Sequence, residues 1–335
     1  MSQSIVAWTH SRGGYPDALQ RTKIKLNDAP LRSTEVLVRV KAAALNPVDI
    51  QLMAFPLLAR LPNAIMPNFK GMGEDFAGIV EQAGNESGFK PGDEVFGLIF
   101  FFPDGSLQEM MRIDTAKTNA VVRKPASWTW EQAAALPLVW LTARTMMKSI
   151  ESYVPKGGKV AVLGGSSSTG MYAVHLAKQR GCIVAATCSS AKADFVRSMG
   201  ADEIIDYRND SVPDALKAFA PDAVLDCVGG TECIGIAQRY VTVVGDKTSR
   251  TSLGGALTYL FNPQMILRSF LGLIGLSPSY LCINLAFDQK WLEEALLLPP
   301  EKIIIDSTFS FDQVVEAYER LNTGRTMGKV VVSID

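Results

Sequence analysis

The sequence predicts an α/β protein of two domains, in which a β-rich domain is interrupted by a domain with a doubly wound parallel sheet. Three observations lead to this prediction. The chain has 335 residues, about twice the typical length of roughly 150 residues for one domain. Strand patterns dominate its first third, and strand and helix patterns alternate through its middle. The last stretch then returns to the pattern of the first.

The first third is typical of strands joined by turns. Glu35–Ala44 alternates apolar and polar residues, like a half-buried strand. Gly78–Glu81 is a short strand, and the turn-forming residues Phe89–Asp93 precede another strand at Glu94–Gly97. We expect these segments to form the β-rich domain.

The middle of the chain begins with a helical stretch, Trp130–Ile150, that Pro137 interrupts. After it come a strand at Lys159–Gly164, a helix at Thr169–Arg180, a strand at Cys182–Thr187, a helix at Ala191–Met199, and strands at Ile204–Tyr207, Ala223–Val228 and Tyr240–Gly245. This alternation predicts a parallel sheet with helices on both faces.

The C-terminal part resembles the first third in its pattern. It is predicted to be extended over Lys302–Phe311, helical over Asp312–Leu321 and a strand over Gly328–Ile334. We therefore predict that residues 1–127 and 299–335 form the β-rich domain and that residues 128–298 form the inserted one.

Composition and charge exclude several function classes. There are 33 basic and 34 acidic residues, which gives a formal net charge of −1. Because no basic cluster stands out, nucleic acid is not an expected partner. An apolar fraction of 47% excludes a disordered chain. Two histidines and five cysteines without close spacing leave little material for a metal site, so no metal is predicted.

The compartment is predicted to be the cytoplasm, because no secretory signal is visible and the cysteines show no pairing pattern. An Arg-rich transit peptide is not visible either, but Arg12, Arg21 and Arg32 keep that alternative open. One stretch, Ser269–Phe287, carries no charge and approaches the length of a membrane span, but Pro278 would break a helix there. We predict no integral span. Burial in a core, a subunit interface, an apolar substrate wall and a peripheral membrane contact all stay open.

A loop of small residues, Gly164–Gly170 (GGSSSTG), lies between a predicted strand and a predicted helix. Small residues let the backbone approach a pyrophosphate, and the helix N-terminus offers N–H groups to it. Ser167 stands where the common fingerprint has its middle glycine. A tight turn with capping serines is the alternative, but the strand–loop–helix context favours a dinucleotide site.

The end of the next strand bears on the choice of dinucleotide. An NAD site usually has an acid about twenty residues after the fingerprint, which binds the ribose 2′-hydroxyl. Thr187–Lys192 contains no acid, whereas Lys192 could pair with a 2′-phosphate and Ser189 could donate to it. We therefore predict NADPH. A solvated lysine at a helix start is the alternative for Lys192.

Several separated motifs resemble a known family. They are NPVD at 46–49, GEDFAGIV at 73–80, KPGDEV at 90–95, AAALPLVWLTA at 133–143, the loop at 164–170, LAK at 176–178, GADEIIDY at 200–207 and GKVV at 328–331. In order and spacing they resemble the zinc-independent, quinone oxidoreductase-like branch of the medium-chain dehydrogenases/reductases, over almost the whole chain.

The resemblance implies a GroES-like catalytic domain, a Rossmann domain and an interdomain cleft that binds NADPH. The implied cofactor-binding residues are Thr142, Ser166, Ser167, Ser168, Thr169, Gly170, Ser189, Lys192, Tyr207, Val228, Gly245 and Lys329. A phenol such as Tyr207 can also donate to a 2′-phosphate on chemical grounds, although a strand-edge tyrosine is the alternative. Zinc-dependent members have their ligands near the positions of Asn46 and Gly73, where this chain lacks cysteine and histidine.

Without a metal, the expected acceptor is one whose developing charge is already delocalised, such as a quinone or an α,β-unsaturated carbonyl. Asn46 is predicted either to donate a hydrogen bond to the developing enolate oxygen or to hold the cofactor ribose, and Asp49 is predicted to support it. A purely structural role is the alternative for both residues. The apolar segments Gln51–Lys70 and Leu98–Phe102 suggest an apolar small-molecule substrate, with plain packing as the alternative.

Two further functions stay open. One is an enoyl or polyketide-type reductase, although no tyrosine lies between Asp49 and Gly71, where such family members often have one. The other is a low-turnover NADPH-binding protein that acts through partners.

Family members often form homodimers by pairing the edges of their parallel sheets, and Tyr240–Gly245 is the predicted edge.

Overall fold

The structure, a computed structural model, describes residues 4–11, 15–53, 70–99, 105–117, 120–246, 259 and 262–334. Contacts divide the chain into two compact units, Met1–Leu138 with Phe287–Asp335, and Val139–Ala286. Both ends of the chain thus belong to the first unit, and the second is inserted. The insert begins after the predicted residue 128, because the helix at Trp130–Ala134 packs against strands of the first unit, and it ends before the predicted residue 298.

In chain order the described strands are β1 (Ser4–His10), β2 (Leu19–Lys25), β3 (Glu35–Ala44), β4 (Lys70–Gly71), β5 (Asp75–Ala83), β6 (Glu94–Leu98), β7 (Met110–Asp114), β8 (Ala120–Arg123), β9 (Lys159–Leu163), β10 (Ile183–Cys188), β11 (Glu203–Asp206), β12 (Ala223–Asp226), β13 (Arg239–Thr242), β14 (Ser279–Cys282), β15 (Ile305–Ser310) and β16 (Lys329–Ser333). The α-helices are α1 (Pro47–Met53), α2 (Trp130–Ala134), α3 (Pro137–Ile150), α4 (Ser168–Gln179), α5 (Ala193–Ser198), α6 (Val212–Phe219), α7 (Pro263–Leu273), α8 (Gln289–Glu294) and α9 (Val314–Asn322).

The first unit is built on a sheet that joins the two ends of the chain. Among the described residues its strand order is β15-β16-β3-β5-β6-β8, with β7 paired to β3, and a smaller sheet has the order β2-β1-β4. β16 pairs antiparallel with β3, so that Val331 lies opposite Ala44. Helix α9 covers the core with Val314, Ala317, Tyr318 and Leu321, the spacing of one helix face.

The second unit contains a sheet in which every described pairing is parallel, with the order β11-β10-β9-β12-β13-β14. Its central strands β9 and β12 are buried on both faces, as apolar runs such as Val160–Leu163 require. The order doubles back at β9, so β10 and β12 lie on either side of it. Ligands of such sheets bind at the carboxyl ends of the strands around this point.

These observations confirm the predicted fold class, a GroES-like β-rich unit with an inserted Rossmann-type unit. The predicted strand Glu35–Ala44 has the observed bounds of β3. The break predicted at Pro137 is the start of α3.

The predicted dimer edge is wrong. The strand β13 covers the start of Tyr240–Gly245, but it pairs with β12 on one side and β14 on the other, so neither side is an edge. The uncharged stretch Ser269–Phe287 supplies β14, whose Tyr280 is buried, and the end of α7, where Leu273 is 83% exposed. Burial therefore explains only part of this stretch.

None of the helices in the described residues has the length and apolar character that a bilayer crossing requires. The homodimer and the peripheral membrane contact stay predictions. Light scattering and vesicle flotation are the measurements that test them.

Candidate active site

Sheet register brings three polar side chains together in the first unit. Asn46 follows the end of β3, Asp75 begins β5 and Lys329 begins β16. Because Ala44 lies opposite Asp75 on one side and Val331 on the other, the three strand ends meet at one edge of the sheet. The motifs around residues 46, 75 and 329 are far apart in the chain, and antiparallel pairing joins them.

Lys329 holds this cluster together. Its ammonium group, in a residue only 2% exposed, donates to the Asp75 carboxylate at 2.9 Å, to the Leu45 carbonyl at 3.0 Å and to Asn46 Oδ1. An ammonium group has three N–H donors, so all of them are used within the protein. The predicted cofactor role of Lys329 is untested, but its ammonium is already committed to this cluster.

Asn46 is oriented by the same contacts. Lysine can only donate, so the side of the amide that faces Lys329 must be Oδ1. The Nδ2 atom then donates to Asp75 at 2.9 Å. Its second N–H makes no hydrogen bond within the described residues. Asn46 therefore keeps one oriented donor in reserve.

Asp49 and Glu74 complete the acidic side of the cluster. The Asp49 carboxylate accepts from the Asn46 backbone N–H at 2.8 Å and from the Tyr318 hydroxyl at 3.3 Å. Burial raises the pKa of Asp49 to about 7, against the lowering effect of the Asn46 N–H and Lys329. Burial also raises the pKa of Glu74 well above its usual range, and Asp49 and Asp75 add to this.

In the second unit, the phosphate loop has a backbone that larger residues could not follow. Gly164 has a φ of +81°, in the left-handed region where glycine is unstrained. A Cβ atom on Gly170 would lie 2.1 Å from the Gly164 carbonyl oxygen. The loop therefore presents backbone rather than side chains at the N-terminus of α4, as a bound pyrophosphate requires.

The serines of this loop have different roles. The Ser167 hydroxyl accepts from the Gly170 N–H at 3.0 Å and so caps α4. This cap explains why a serine stands at the position of the middle glycine. The hydroxyls of Ser166 and Thr169 are half-buried and make no hydrogen bond within the described residues, which leaves them for a ligand. Ser168 begins α4 beside them.

The residues predicted to bind the 2′-phosphate lie at two neighbouring strand ends. Ser189 follows β10 and Lys192 ends the short helical turn after it. Tyr207, 54% exposed, follows β11, and its N–H donates to the Cys188 carbonyl at 3.3 Å. The Arg208 guanidinium lies 5.9 Å from the Tyr207 ring centre and adds a second positive charge.

An acid also lies at this point. The Asp206 carboxylate accepts hydrogen bonds from both the hydroxyl and the backbone N–H of Ser190. It also accepts from the Arg208 N–H at 3.0 Å and from Asn209 Nδ2 at 2.8 Å. These hydrogen bonds, that of the Ser190 hydroxyl first, lower the pKa of Asp206. The motif at 200–207 contains Asp206, but its place in the sequence does not show that it lies near the predicted 2′-phosphate site. Parallel pairing of β10 with β11 places it beside Cys188.

Val228 and Gly245 follow two further strand ends. A Cβ atom on Gly164 would lie 2.5 Å from Val228 Cγ1, so Val228 adjoins the phosphate loop. Its turn is held by the buried Asp226, which accepts from the Val228 N–H at 2.9 Å. The Gly245 N–H donates to Thr242 Oγ1 at 3.0 Å. Thr142 is buried on α3.

The predicted site residues thus fall in two sets. Asn46, Asp49 and Lys329 belong to the first unit, and the other eleven belong to the second. Most of the segment Gln51–Lys70 and of Leu98–Phe102, predicted to line an acceptor pocket, lies outside the described residues.

Comparison with known proteins identifies the family of this chain. Residues 32–125 match the alcohol dehydrogenase GroES-like domain and residues 199–332 match the zinc-binding dehydrogenase family. NAD(P)H oxidoreductase RTN4IP1, mitochondrial, of Mus musculus is 30% identical over 99% of this chain and 90% of its own. The chain belongs to the medium-chain dehydrogenase/reductase superfamily.

Two other similarities agree with membership of this superfamily. The 2-methylene-furan-3-one reductase of Solanum lycopersicum is 32% identical over 97% of this chain and 78% of its own. The structure of the quinone oxidoreductase from Coxiella burnetii has a TM-score of 0.78 and 25% identity, with 99% of this chain and 100% of that one covered. The protein is an oxidoreductase of the medium-chain superfamily.

Zinc, which one of the matched families is named for, does not fit the cluster in the first unit. Zinc sites in proteins are built mainly from cysteine and histidine, with carboxylates as further ligands, whereas this cluster offers carboxylates and an amide but neither cysteine nor histidine. The ammonium of Lys329 already supplies the cation that faces them. Within the described residues, no group of three or more His, Cys, Asp or Glu side chains is placed to hold a metal ion.

Sequence reasoning left three polar residues of the first-unit cluster without a role, namely Glu74, Asp75 and Tyr318. Glu74 was quoted in a motif, but nothing in its spacing shows that its carboxyl group is buried beside Asp75. Tyr318 lies on α9, and its contact with Asp49 joins two residues at opposite ends of the chain. The signal that could have found Glu74 is the pair of adjacent acids at the start of an apolar strand.

Proposed function

We propose that this protein is an NADPH-dependent, zinc-independent reductase that transfers a hydride to a quinone or an α,β-unsaturated carbonyl. The observation that carries the proposal is the composition of its two polar centres. One is a loop of small residues with ligand donors in reserve; the other is a buried network of acid, amide and ammonium groups without a cysteine or histidine. The reductase and oxidoreductase names of its relatives support the same reaction class.

The residues of the second unit bind and orient the cofactor. The loop Gly164–Gly170 holds the pyrophosphate through backbone N–H groups, with the hydroxyls of Ser166 and Thr169 as further donors. The bound NADPH supplies the hydride. Binding through groups that are already in place keeps the geometry of the reaction fixed, which is where most of the catalytic benefit of orientation arises.

The residues of the first unit stabilise charge on the acceptor. Asn46 donates its remaining N–H to the oxygen on which negative charge develops, and Lys329 and Asp75 keep the amide from rotating. Asp49 fixes the backbone of Asn46. An oriented donor of this kind needs no metal.

The preference for NADPH rests on charge at the ends of β10 and β11. Lys192, Tyr207 and Arg208 offer two positive charges and a phenol for a 2′-phosphate. Asp206 opposes them, but its oxygens already accept from Ser190, Arg208 and Asn209. We infer that the cations dominate.

The test is an acceptor panel with purified protein. Oxidation of NADPH and of NADH is followed by absorbance with quinones, 2-alkenals and enoyl thioesters. We expect turnover with quinones or 2-alkenals, faster with NADPH, and no change on incubation with a zinc chelator. Turnover on enoyl thioesters alone would favour the enoyl-reductase alternative, and tight NADPH binding without any turnover would favour the low-turnover binding protein.

The proposed partner is an apolar small molecule, with no nucleic acid, and the proposed location is the cytoplasm. The mouse relative is named as mitochondrial, so location is a separate question from activity. Fractionation of cells that express the tagged protein answers it.

A further inference from the structure

Glu74 differs from the other acids of the buried network. Only 6% of the residue is exposed, and its carboxyl group makes no hydrogen bond within the described residues. Asp75, by contrast, accepts from the Lys329 ammonium, the Asn46 amide and the Leu138 N–H. The network therefore holds the Asp75 carboxylate but not the carboxyl group of Glu74.

The charges around Glu74 determine its ionisation state. Asp49 and Asp75 face it from α1 and β5, Tyr318 faces the same cluster from α9, and Lys329 supplies the positive charge. One ammonium cannot neutralise three carboxylates, and its N–H donors are spent on Asp75, Asn46 and a backbone carbonyl. The charged form of Glu74 would therefore be buried and unpaired, so the neutral acid is favoured.

The other groups of the cluster are engaged with neighbours. Asp49, whose pKa burial raises to about 7, accepts from the Asn46 N–H and the Tyr318 hydroxyl. The Tyr318 hydroxyl is fully buried and donates to Asp49. The N–H groups of Lys329 are all engaged. Among these groups, Glu74 is the acid whose O–H has no acceptor in the described protein.

We propose, on the basis of the proposed function, that Glu74 is the proton donor of the reduction. Hydride from the reduced nicotinamide forms a C–H bond at the β-carbon of an α,β-unsaturated carbonyl, and the alkene electron pair moves toward the carbonyl as an enolate. The Glu74 O–H bond then breaks, its proton forms the new C–H bond at the α-carbon, and the carbonyl is restored. The carboxylate left behind regains a proton from water.

The high pKa of Glu74 suits this role, because an acid must still hold its proton at neutral pH in order to donate it. Protonation of carbon is slow without a positioned acid, whereas the oxygens of a reduced quinone exchange protons with water directly. The role therefore affects the two acceptor classes differently.

The test compares Glu74→Gln, which keeps the shape and removes the proton, with the control Glu81→Gln. Glu81 lies on β5, the strand that follows Glu74, where it pairs with Arg39 at the surface. With a 2-methyl-2-enone as acceptor, we expect kcat of Glu74→Gln to fall about 100-fold, the scale of a lost general acid. With a quinone it should stay within about threefold, and Glu74→Asp should recover part of the loss.

Stereochemistry gives a readout that a structural role would not change. The wild type should form one enantiomer at the α-carbon, measured by chiral chromatography, because the proton arrives from one side. Glu74→Gln should form both, as water protonates the enolate after release, and Glu81→Gln should match the wild type. A single enantiomer from Glu74→Gln, an unchanged kcat with the enone, or turnover of quinones but not enones by the wild type would each overturn the proposal.

Infrared difference spectra separate this proposal from the proposed function. Without any cofactor or acceptor, the wild type at neutral pH should show the carbonyl stretch of a protonated carboxylic acid that Glu74→Gln lacks. If the band is absent, Glu74 is ionised and cannot be the donor, whatever the enzyme reduces. If the band is present but the wild type reduces no acceptor, the proposed function itself has failed and the donor role fails with it.

Discussion

The two polar centres of this protein are constructed in opposite ways. In the first unit, Lys329, Asn46 and Asp75 satisfy one another, and the network is almost sealed from solvent. In the second, the loop Gly164–Gly170 is half-exposed and its hydroxyls at Ser166 and Thr169 have no partner in the described structure. The Lys329–Asp75 ion pair of the first centre is complete without a ligand, whereas these two loop hydroxyls of the second centre have no protein partner within the described residues.

This difference predicts how each centre responds to substitution. A side chain removed from a closed network leaves its partners buried and unpaired, so stability and activity fall together. A hydroxyl removed from an open loop leaves no protein group unpaired, so only ligand binding suffers. Measurements of stability and binding on the same variants therefore test the comparison directly.

The largest effect is expected for Lys329→Met. The variant leaves Asp75 buried without its cation, and loss of one partner of a buried ion pair destabilises by about 3–5 kcal/mol. Urea unfolding measures it. Lys117→Met is the control, because the Lys117 side chain is exposed and its contact with Asp114 at 3.7 Å should contribute little. Equal stability of the two variants would show that the network is not closed as described.

The next effect is a pH dependence. Because burial raises the pKa of Asp49 to about 7 in the folded state, the folded chain holds this proton more tightly than the unfolded chain. Stability should therefore fall as pH rises from about 4 to 7, and Asp49 should contribute about 4 kcal/mol to this fall. The Asp49→Asn variant, measured by urea unfolding across this range, should show a smaller fall, because only the raised pKa of Glu74 then contributes. Parallel curves for the two proteins would contradict the raised pKa.

Sequence patterns located the loop of the open centre, whereas they named Asn46, Asp49 and Lys329 of the closed centre without the contacts that join them. The loop Gly164–Gly170 is contiguous, so its small residues and their position between β9 and α4 are visible in the sequence. The network of Asn46, Asp75 and Lys329 depends on the pairing of β3 with β5 and β16, and no local pattern contains that register. The sequence did not predict a role for Glu74 for the same reason, since burial of its carboxyl group depends on side chains from other elements.

The strands were likewise predicted where their pattern is local and missed where it depends on tertiary contacts. The strand Glu35–Ala44 was predicted with its observed bounds because its alternation is local. The dimer edge was placed wrongly at Tyr240–Gly245, because β14, which covers it, comes from an uncharged stretch after α7 that shows no strand alternation. Which strand ends a sheet is a property of the tertiary fold.

A smaller effect is expected for Lys192→Ala. If Lys192 binds the 2′-phosphate of NADPH, its loss removes one charge-assisted contact. The ratio of kcat/KM for NADPH to kcat/KM for NADH should then fall roughly ten- to hundredfold. The companion variant Asp206→Asn should raise the same ratio, because it removes the nearby negative charge. Urea unfolding should show Lys192→Ala close to the wild type. Equal ratios in the wild type, unchanged in Lys192→Ala, would exclude the predicted preference.

The smallest effect gives the sharpest form of the comparison, because it contrasts two adjacent serines. Ser167→Ala removes the cap of α4 and should cost about 1 kcal/mol of stability. Ser166→Ala removes a hydroxyl that has no partner in the described structure, so stability should be unchanged while the Kd for NADPH, measured by fluorescence titration, rises several-fold. If Ser166→Ala instead destabilised the protein and left the Kd unchanged, the loop would be a closed structural turn, and the contrast between the two centres would not hold.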